Sequence, residues 1–428
     1  MMNISVVGLG YVGLPAALAF HDSGLNVCGI DISEEVIGDI SMGRAPFSDS
    51  TEKFEIPVSS QNWSISENFD SVAESKVVVI AVPTPTTDKA KPDLRHVFSA
   101  FRSVFSKIDK RNGTIVILES TVSPGSTRLV SDTVADEYDL LQGHDFHLCY
   151  SPERVSPGDG KTVRNVSRVV GCDNSEIGQF VVDLYSKITS EECRLVSSIE
   201  VAEAAKMIEN VQRDIDIAFV NELANFFPSI GLDVEEVLEA AATKWSFHRH
   251  YPGIGVGGHC IPVDPYYYIE ASINSGVPSK LAPVARGINE EMPVISAERI
   301  LRLIDSDEEE KTALILGYSY KPNIGDIRMT PVLQLAQTLH RSGIRMTVWD
   351  PHVNPARIPN WIRISDDLYV ESGFDIVILA TAHEECLGID WGKLLQCTTS
   401  GMIFDGRRAL DPSEMERIGW EYHGVGMP

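Results

Sequence analysis

Directly after the apolar run ISVV the chain reads GLGYVG and then enters a helical pattern, LPAALAF. No other stretch restricts the fold as strongly. Glycines at positions 8, 10 and 13 allow a tight turn out of a strand, close approach of a bound group, and close packing of helix on strand. Taken alone, G-x-G-x-x-G also fits an ordinary strand-to-helix turn. Here a second strand-like run, NVCGI, ends in Asp31. A carboxylate at that position accepts hydrogen bonds from ribose hydroxyls and repels a 2′-phosphate. Ile32 and Ser33 follow it with no arginine. The segment therefore predicts a dinucleotide site, with NAD favoured over NADP.

The rest of the first half alternates in the same way. Strand candidates are Ile4–Val7, Val27–Ile30, Val77–Val82, Thr114–Leu118, His147–Tyr150 and Arg168–Val170, with helical stretches between most of them. Such alternation implies a parallel, doubly wound sheet. From about Ser198 to Lys244 the apolar period becomes helical, punctuated by Pro228 and Gly231. Alternation resumes after DSDEEE (305–310), itself read as a solvated turn or linker, with strand candidates Ala313–Leu316, Met346–Trp349, Ile376–Leu379 and Met402–Phe404. The expected fold class is α/β: two Rossmann-like, doubly wound parallel-sheet domains joined by a central long-helix region. The expected boundaries are 1–195, 196–304 and 305–428.

Composition excludes several functions. With 36 Lys and Arg against 61 Asp and Glu, the formal charge of −25 opposes general nucleic-acid binding. Apolar runs such as KVVVIAV are strand-length, short of a membrane span. MMNISVVGLG has no basic leader region, so a cytoplasmic protein is expected. Seven cysteines without a C-x-x-C pair argue against a disulfide framework, and no metal site is expected.

One cysteine has a chemical setting. GVGGHCIPVDP, residues 255–265, presents Cys260 behind two glycines with Asp264 four positions on. Glycine lets another group approach closely, and proline stiffens the turn. His259 is adjacent in sequence, but consecutive side chains commonly diverge, which disfavours a Cys–His dyad. On the mid-chain helix Lys206, Asn210 and Arg213 fall on one face. Such a stripe is either a solvent face or a site for an anion or a developing oxyanion. The loops VPTP (82–85) and ESTVSPGST (119–127) follow strands and either line a nicotinamide pocket or are plain turns.

In order, GLGYVGLP, VPTP, ESTVSPGST, SPERVSPG, AEAAKMIEN, GVGGHCIPVDP, KPNIGDIRMTP and FDGRR resemble the UDP-glucose/GDP-mannose dehydrogenase family nearly end to end. The resemblance implies an NAD-binding Rossmann domain, a central helical dimerisation region giving a homodimer, and a C-terminal nucleotide-sugar domain. It also implies oxidation of a sugar C6 alcohol to a carboxylate with two NAD+. A thiol then has a purpose: it captures the intermediate aldehyde as a thiohemiacetal, which loses a second hydride to become a thioester.

By that resemblance Cys260 is the nucleophile, and Lys206 and Asn210 stabilise the oxyanion. Asp264 moves protons, while Thr121 and Glu153 position the hydrolytic water. Gly8, Gly10, Tyr11, Val12, Gly13, Asp31, Thr84 and Thr121 match the NAD site, with Arg328 reaching towards it. Glu153, Arg154, Val155, Lys206, Asn210, Arg213, Gly257, Tyr320, Lys321 and Arg407 match positions at the UDP-sugar. Glucose-type members carry lysine where this chain has Val263. HCIPVDPYYY, IENVQRDIDIAFVNE and TKWSF are instead similar to dehydrogenases of UDP-N-acetylhexosamines, most of all the N-acetylglucosamine and N-acetylgalactosamine branch. UDP-N-acetylmannosamine and UDP-glucose are the alternatives, and the HRHY stretch (248–251) is unusual. Outside the family, a two-electron β-hydroxyacid dehydrogenase predicts neither the thiol nor a third domain. A non-catalytic NAD sensor would leave Cys260 and Lys206 as packing residues.

Overall fold

The computed structural model describes residues 2–47, 54–155, 160–304 and 311–428. DSDEEE and the end of SPERVSPG therefore lie outside the described residues. The chain divides into two compact units, Met1–Asn210 with Tyr266–Pro278, and Val211–Pro265 with Ser279–Pro428.

The first unit is built on eight strands: β1 (Asn3–Val7), β2 (Asn26–Ile30), β3 (Trp63–Ser66), β4 (Val77–Ile80), β5 (Thr114–Leu118), β6 (Phe146–Tyr150), β7 (Arg168–Cys172) and β8 (Cys193–Val196). Their order across the sheet is β3-β2-β1-β4-β5-β6-β7-β8. VVVI of β4 and TIVIL of β5 are buried along their whole length, as strands covered on both faces must be. Strand order reverses between β1 and β4, so the loops after these two strands diverge and leave a crevice at their carboxyl ends. All pairs are parallel except one. β7 runs antiparallel to β6, with Cys149 opposite Cys172 and Tyr150 opposite Gly171. That reversal carries the first residue of β7, Arg168, past the carboxyl end of β6.

The second unit holds the later part of the long helix Ile199–Phe226, the helices Val234–Ala242 and Leu281–Leu303, and a second sheet. Its strands are β9 (Lys311–Leu316), β10 (Ile344–Trp349), β11 (Arg363–Ile364), β12 (Ile376–Leu379), β13 (Met402–Asp405) and β14 (Glu421–Gly424), ordered β11-β10-β9-β12-β13-β14. Val220 and Ala224 from the long helix pack with Met292, Ala297 and Ile300 of the following helix and with Ala313 and Ile315 of β9. Fully burying the valine, methionine and isoleucine side chains among these stabilises by roughly 1.5–3 kcal/mol each.

A buried polar chain runs through the same helices. Asn221 Nδ2 donates to Asn289 Oδ1 at 2.8 Å, and Asn289 Nδ2 donates to Asp214 Oδ1 at 2.8 Å. Arg286 Nε lies 3.0 Å from Asp214 Oδ2. Burial pushes the Asp214 carboxyl up to about 6 against the pull of Arg286. At the other end Asn221 Oδ1 accepts from the Gly253 N–H at 3.0 Å, which fixes the start of the thiol loop. No helix among the described residues is long and apolar enough to cross a membrane.

Candidate active site

In the first unit the turn after β1 is shaped by close packing. Gly8 has φ +90°, and a Cβ there would lie 2.4 Å from the Ala81 carbonyl oxygen. A Cβ at Gly13 would fall 1.8 Å from the Gly8 carbonyl oxygen, but one at Gly10 would meet nothing within 4 Å. Two glycines thus seat the helix Gly13–Asp22 on the sheet, and the third leaves open space at its start. The N-cap, Val12, offers no side-chain cap, and the first turn carries no acid. A helix N-terminus without a side-chain cap or an acid, with open space at Gly10, fits a pyrophosphate. Tyr11 stacks on Phe47 beside this turn with ring centroids 4.2 Å apart. Asp31 accepts from the Leu9 N–H at 2.7 Å and from the Ser33 N–H at 2.9 Å, so its carboxylate is held at the end of β2. These residues fit NAD, which when bound supplies the hydride acceptor.

The next two loops are tied together. Ser120 Oγ accepts from the Val82 N–H at 3.0 Å and donates to the Val82 carbonyl at 2.7 Å. Tyr267, fully buried, donates its hydroxyl to the Thr84 carbonyl at 3.1 Å, and Ser123 Oγ donates to the Tyr267 carbonyl at 3.0 Å. Thr84 and Thr121, both half-buried, therefore sit on cross-linked loops at neighbouring strand ends.

Lys206 is buried on the long helix, Asn210 is half-buried, and Arg213 is exposed. Three residues before Lys206, Glu203 accepts from the Gly125 N–H at 2.6 Å and the Thr127 N–H at 2.8 Å. It caps the helix Ser126–Glu137 and sets the register of the Lys206 turn against the loop that carries Thr121. Burial raises the Glu203 carboxyl, opposed by these bonds.

At the ends of β5 and β6 lies a buried ionic cluster. Glu153 Oε1 accepts from the N–H groups of Arg154 and Val155 at 2.6 and 2.8 Å, and Arg168 Nη2 donates to its Oε2. Arg168 Nη1 donates to Glu119 Oε1 at 3.0 Å, and the Tyr185 hydroxyl donates to the same oxygen at 2.6 Å. The guanidinium also lies over the Tyr185 ring, 4.6 Å from its centroid. Burial pushes the Glu119 carboxyl up to about 7, resisted by Arg168 and reinforced by Glu153. Arg154 turns its own guanidinium to Glu209 and Ser167, and Val155 is half-buried.

In the second unit the thiol loop is clamped glycine by glycine. A Cβ at Gly257 would lie 2.5 Å from Tyr320 Cβ, and one at Gly258 would lie 2.8 Å from the Tyr320 ring. The Gly258 N–H donates to the Arg328 carbonyl at 3.0 Å. Cys260, half-buried, then begins a helical turn, its carbonyl accepting from the Asp264 N–H at 2.8 Å. That bond is the i+4 to i contact of a helix, so the thiol and the buried Asp264 carboxylate lie on one side, a turn apart. Arg407 Nε donates to the Ala380 carbonyl at 2.9 Å, and a Cβ at Gly253 would approach its Nη1 to 2.9 Å. Burial presses the Arg407 guanidinium down, with Asp405 opposing, a cost that a nearby anion would offset. The Lys321 carbonyl accepts from Ser319 Oγ at 2.8 Å, and Arg328, exposed, pairs with Asp326 at 2.9 Å.

Glu119, Arg168, Glu203 and Asn221 are absent from the residues expected from sequence. The available signal is a charge or amide inside an otherwise apolar pattern, such as Arg168 at the head of RVVGC.

A Rossmann sheet with a built dinucleotide cradle, joined through a long helix to a second parallel sheet, defines an NAD-binding oxidoreductase. The NAD binding domain of the UDP-glucose/GDP-mannose dehydrogenase family matches residues 2–189, its central domain matches 200–291 and its UDP binding domain matches 314–412. The chain belongs to that family. It is 36% identical to a UDP-N-acetyl-D-glucosamine 6-dehydrogenase of Pseudomonas aeruginosa, over 90% of this chain and 91% of the relative. It is 32% identical to a UDP-N-acetyl-D-mannosamine dehydrogenase of Pyrococcus horikoshii, over 99% of both chains. A solved structure of a Pyrococcus horikoshii UDP-D-ManNAc dehydrogenase superposes with a TM-score of 0.88, covering 99% of both chains at 31% identity.

Proposed function

We propose that the chain oxidises a UDP-N-acetylhexosamine at C6 to the uronate, a four-electron reaction using two NAD+, through Cys260. The observation that carries this reading is the one-turn spacing of Cys260 and Asp264 in a loop whose glycines are packed tightly against Tyr320. Asp264 takes the proton of the C6 alcohol as the first hydride leaves. The Cys260 thiolate adds to the aldehyde, and Lys206 and Asn210 receive the charge that develops on oxygen. Loss of the second hydride leaves a thioester, which water cleaves to the acid with Thr121 and Glu153 holding that water. In the division of labour we assign, residues 1–195 bind NAD, 196–304 carry the thiol and the dimer contacts, and 305–428 bind the UDP-sugar. A homodimer is supported by Phe219 and Phe226, exposed at heptad spacing on the long helix.

TKWSF supports a gluco or galacto configuration, whereas the relatives above carry names of both C2 epimers. NADH formation from UDP-N-acetylglucosamine, UDP-N-acetylgalactosamine, UDP-N-acetylmannosamine and UDP-glucose tests the reading. The first or second should be the fastest. Turnover of UDP-glucose alone would overturn the hexosamine assignment.

A further inference from the structure

We infer that Arg168 is a positioning residue for thioester hydrolysis, fixing Glu153 between two strand ends through a buried bridge to Glu119. The inference rests on the thioester reading above and adds a residue to it. Because β7 is antiparallel to β6, Arg168 stands beyond the carboxyl end of β6, where the chain continues as Ser151 to Val155. The Ser151 N–H donates to the Leu118 carbonyl at 3.0 Å, so the ends of β5 and β6 leave the sheet side by side. Glu119 follows β5 by one residue and precedes Thr121 by two. The groups proposed to hold the water, Thr121 and Glu153, thus come from adjacent strand ends, and Arg168 spans the two.

The bridge is fully buried. Arg168 and the Glu119 side chain have no solvent exposure, and the Glu153 side chain has 5%. Three of the roughly four acceptor positions of the Glu153 carboxylate are taken, by two backbone N–H groups and by Arg168. A carboxylate held this way keeps one direction for a further hydrogen bond. Filling the space between strand ends does not require charges, since apolar residues of similar volume are often as stable or more so than a buried ion cluster. What the cluster supplies is a carboxylate of fixed position and orientation, the requirement for aiming water at an acyl carbon. In that step a C–O bond forms and the C–S bond to Cys260 breaks. Of the two water protons, one returns to the sulfur and the other passes to solvent, leaving the carboxylate.

The test uses the whole 428-residue chain with NAD+ and the fastest of the UDP-N-acetylhexosamines. Arg168→Lys should keep its NAD affinity and its kcat/KM for the sugar within about threefold, because every step up to the thioester is left intact. A rapid first phase of two NADH per active site should persist, and steady-state turnover should fall at least about tenfold, roughly the effect of losing one charged hydrogen bond. Intact mass after quenching should show the acyl adduct on Cys260 accumulating. Glu119→Gln, which preserves shape, should show the same pattern more weakly, and it serves if the Arg168 variant does not fold. Equal losses in the first phase and in steady state, or no loss in either, would overturn the positioning role. Absence of any Cys260 adduct in the unmodified enzyme would instead remove the thioester reading, and the inference with it.

Discussion

The Leu9 N–H, in the turn after β1, donates to Asp31 Oδ2 at 2.7 Å, joining the glycine turn to the carboxylate at the end of β2. With its second oxygen held by Ser33, the carboxylate is oriented before any ligand arrives. Asp31→Ala should raise KM for NAD+ by about 10- to 100-fold, as expected for losing a charge-assisted hydrogen bond of about 1.5–3 kcal/mol. The preference for NAD+ over NADP+ should shrink in the same variant. Steady-state kinetics with both cofactors measures this, and an unchanged ratio would remove Asp31 from the ribose.

The three glycines of the turn should behave differently. Gly13→Ala places a Cβ 1.8 Å from a backbone oxygen and should lower the melting temperature markedly. Gly10→Ala meets nothing within 4 Å, so the apo protein should melt within about a degree of the parent. Its NAD affinity should nonetheless fall, since the methyl enters space proposed for pyrophosphate. Thermal melts paired with NAD titration separate packing from binding.

Those glycines were legible in the sequence, as were the buried strands, because VVVI and TIVIL are continuous apolar runs. The strands that sequence pattern did not reveal are β3, β8, β11 and β14, and each lies at a sheet edge. WSIS, CRLV, RI and EYHG pair with a neighbour on one side only and bury only some of their side chains, so they need no continuous apolar run. The strip of polar residues at 206, 210 and 213 was readable from helical spacing. The Glu119–Arg168 bridge was not, because it depends on one antiparallel strand whose direction leaves no local signature.

Glu119 makes stability depend on pH. Burial raises its carboxyl to about 7 in the folded chain, against about 4.3 when unfolded. The folded state therefore holds this proton more tightly. Its contribution to stability is complete below the unfolded value and is lost as pH rises towards 7. Between pH 5 and 8, Glu119→Gln should lose stability less steeply than the parent, by on the order of 1–3 kcal/mol over the range. Urea unfolding at several pH values measures the slopes, and equal slopes would contradict the assignment.

Lys206 should separate binding from chemistry. It is buried, on the helix that Glu203 registers against the Thr121 loop. If it receives oxyanion charge, Lys206→Ala should lower kcat about a hundredfold or more, with little change in KM. A steep rise in KM with kcat preserved would make it a diphosphate anchor.

NADH stoichiometry reads out the proposed removal of four electrons through Cys260. With limiting UDP-N-acetylhexosamine and excess NAD+, the parent enzyme should form two NADH per sugar and release the uronate. Cys260→Ser should still bind NAD+ and the UDP-sugar but be almost inactive in net oxidation. One NADH per sugar from the parent, or full uronate formation by Cys260→Ser, would rule out four-electron oxidation through Cys260.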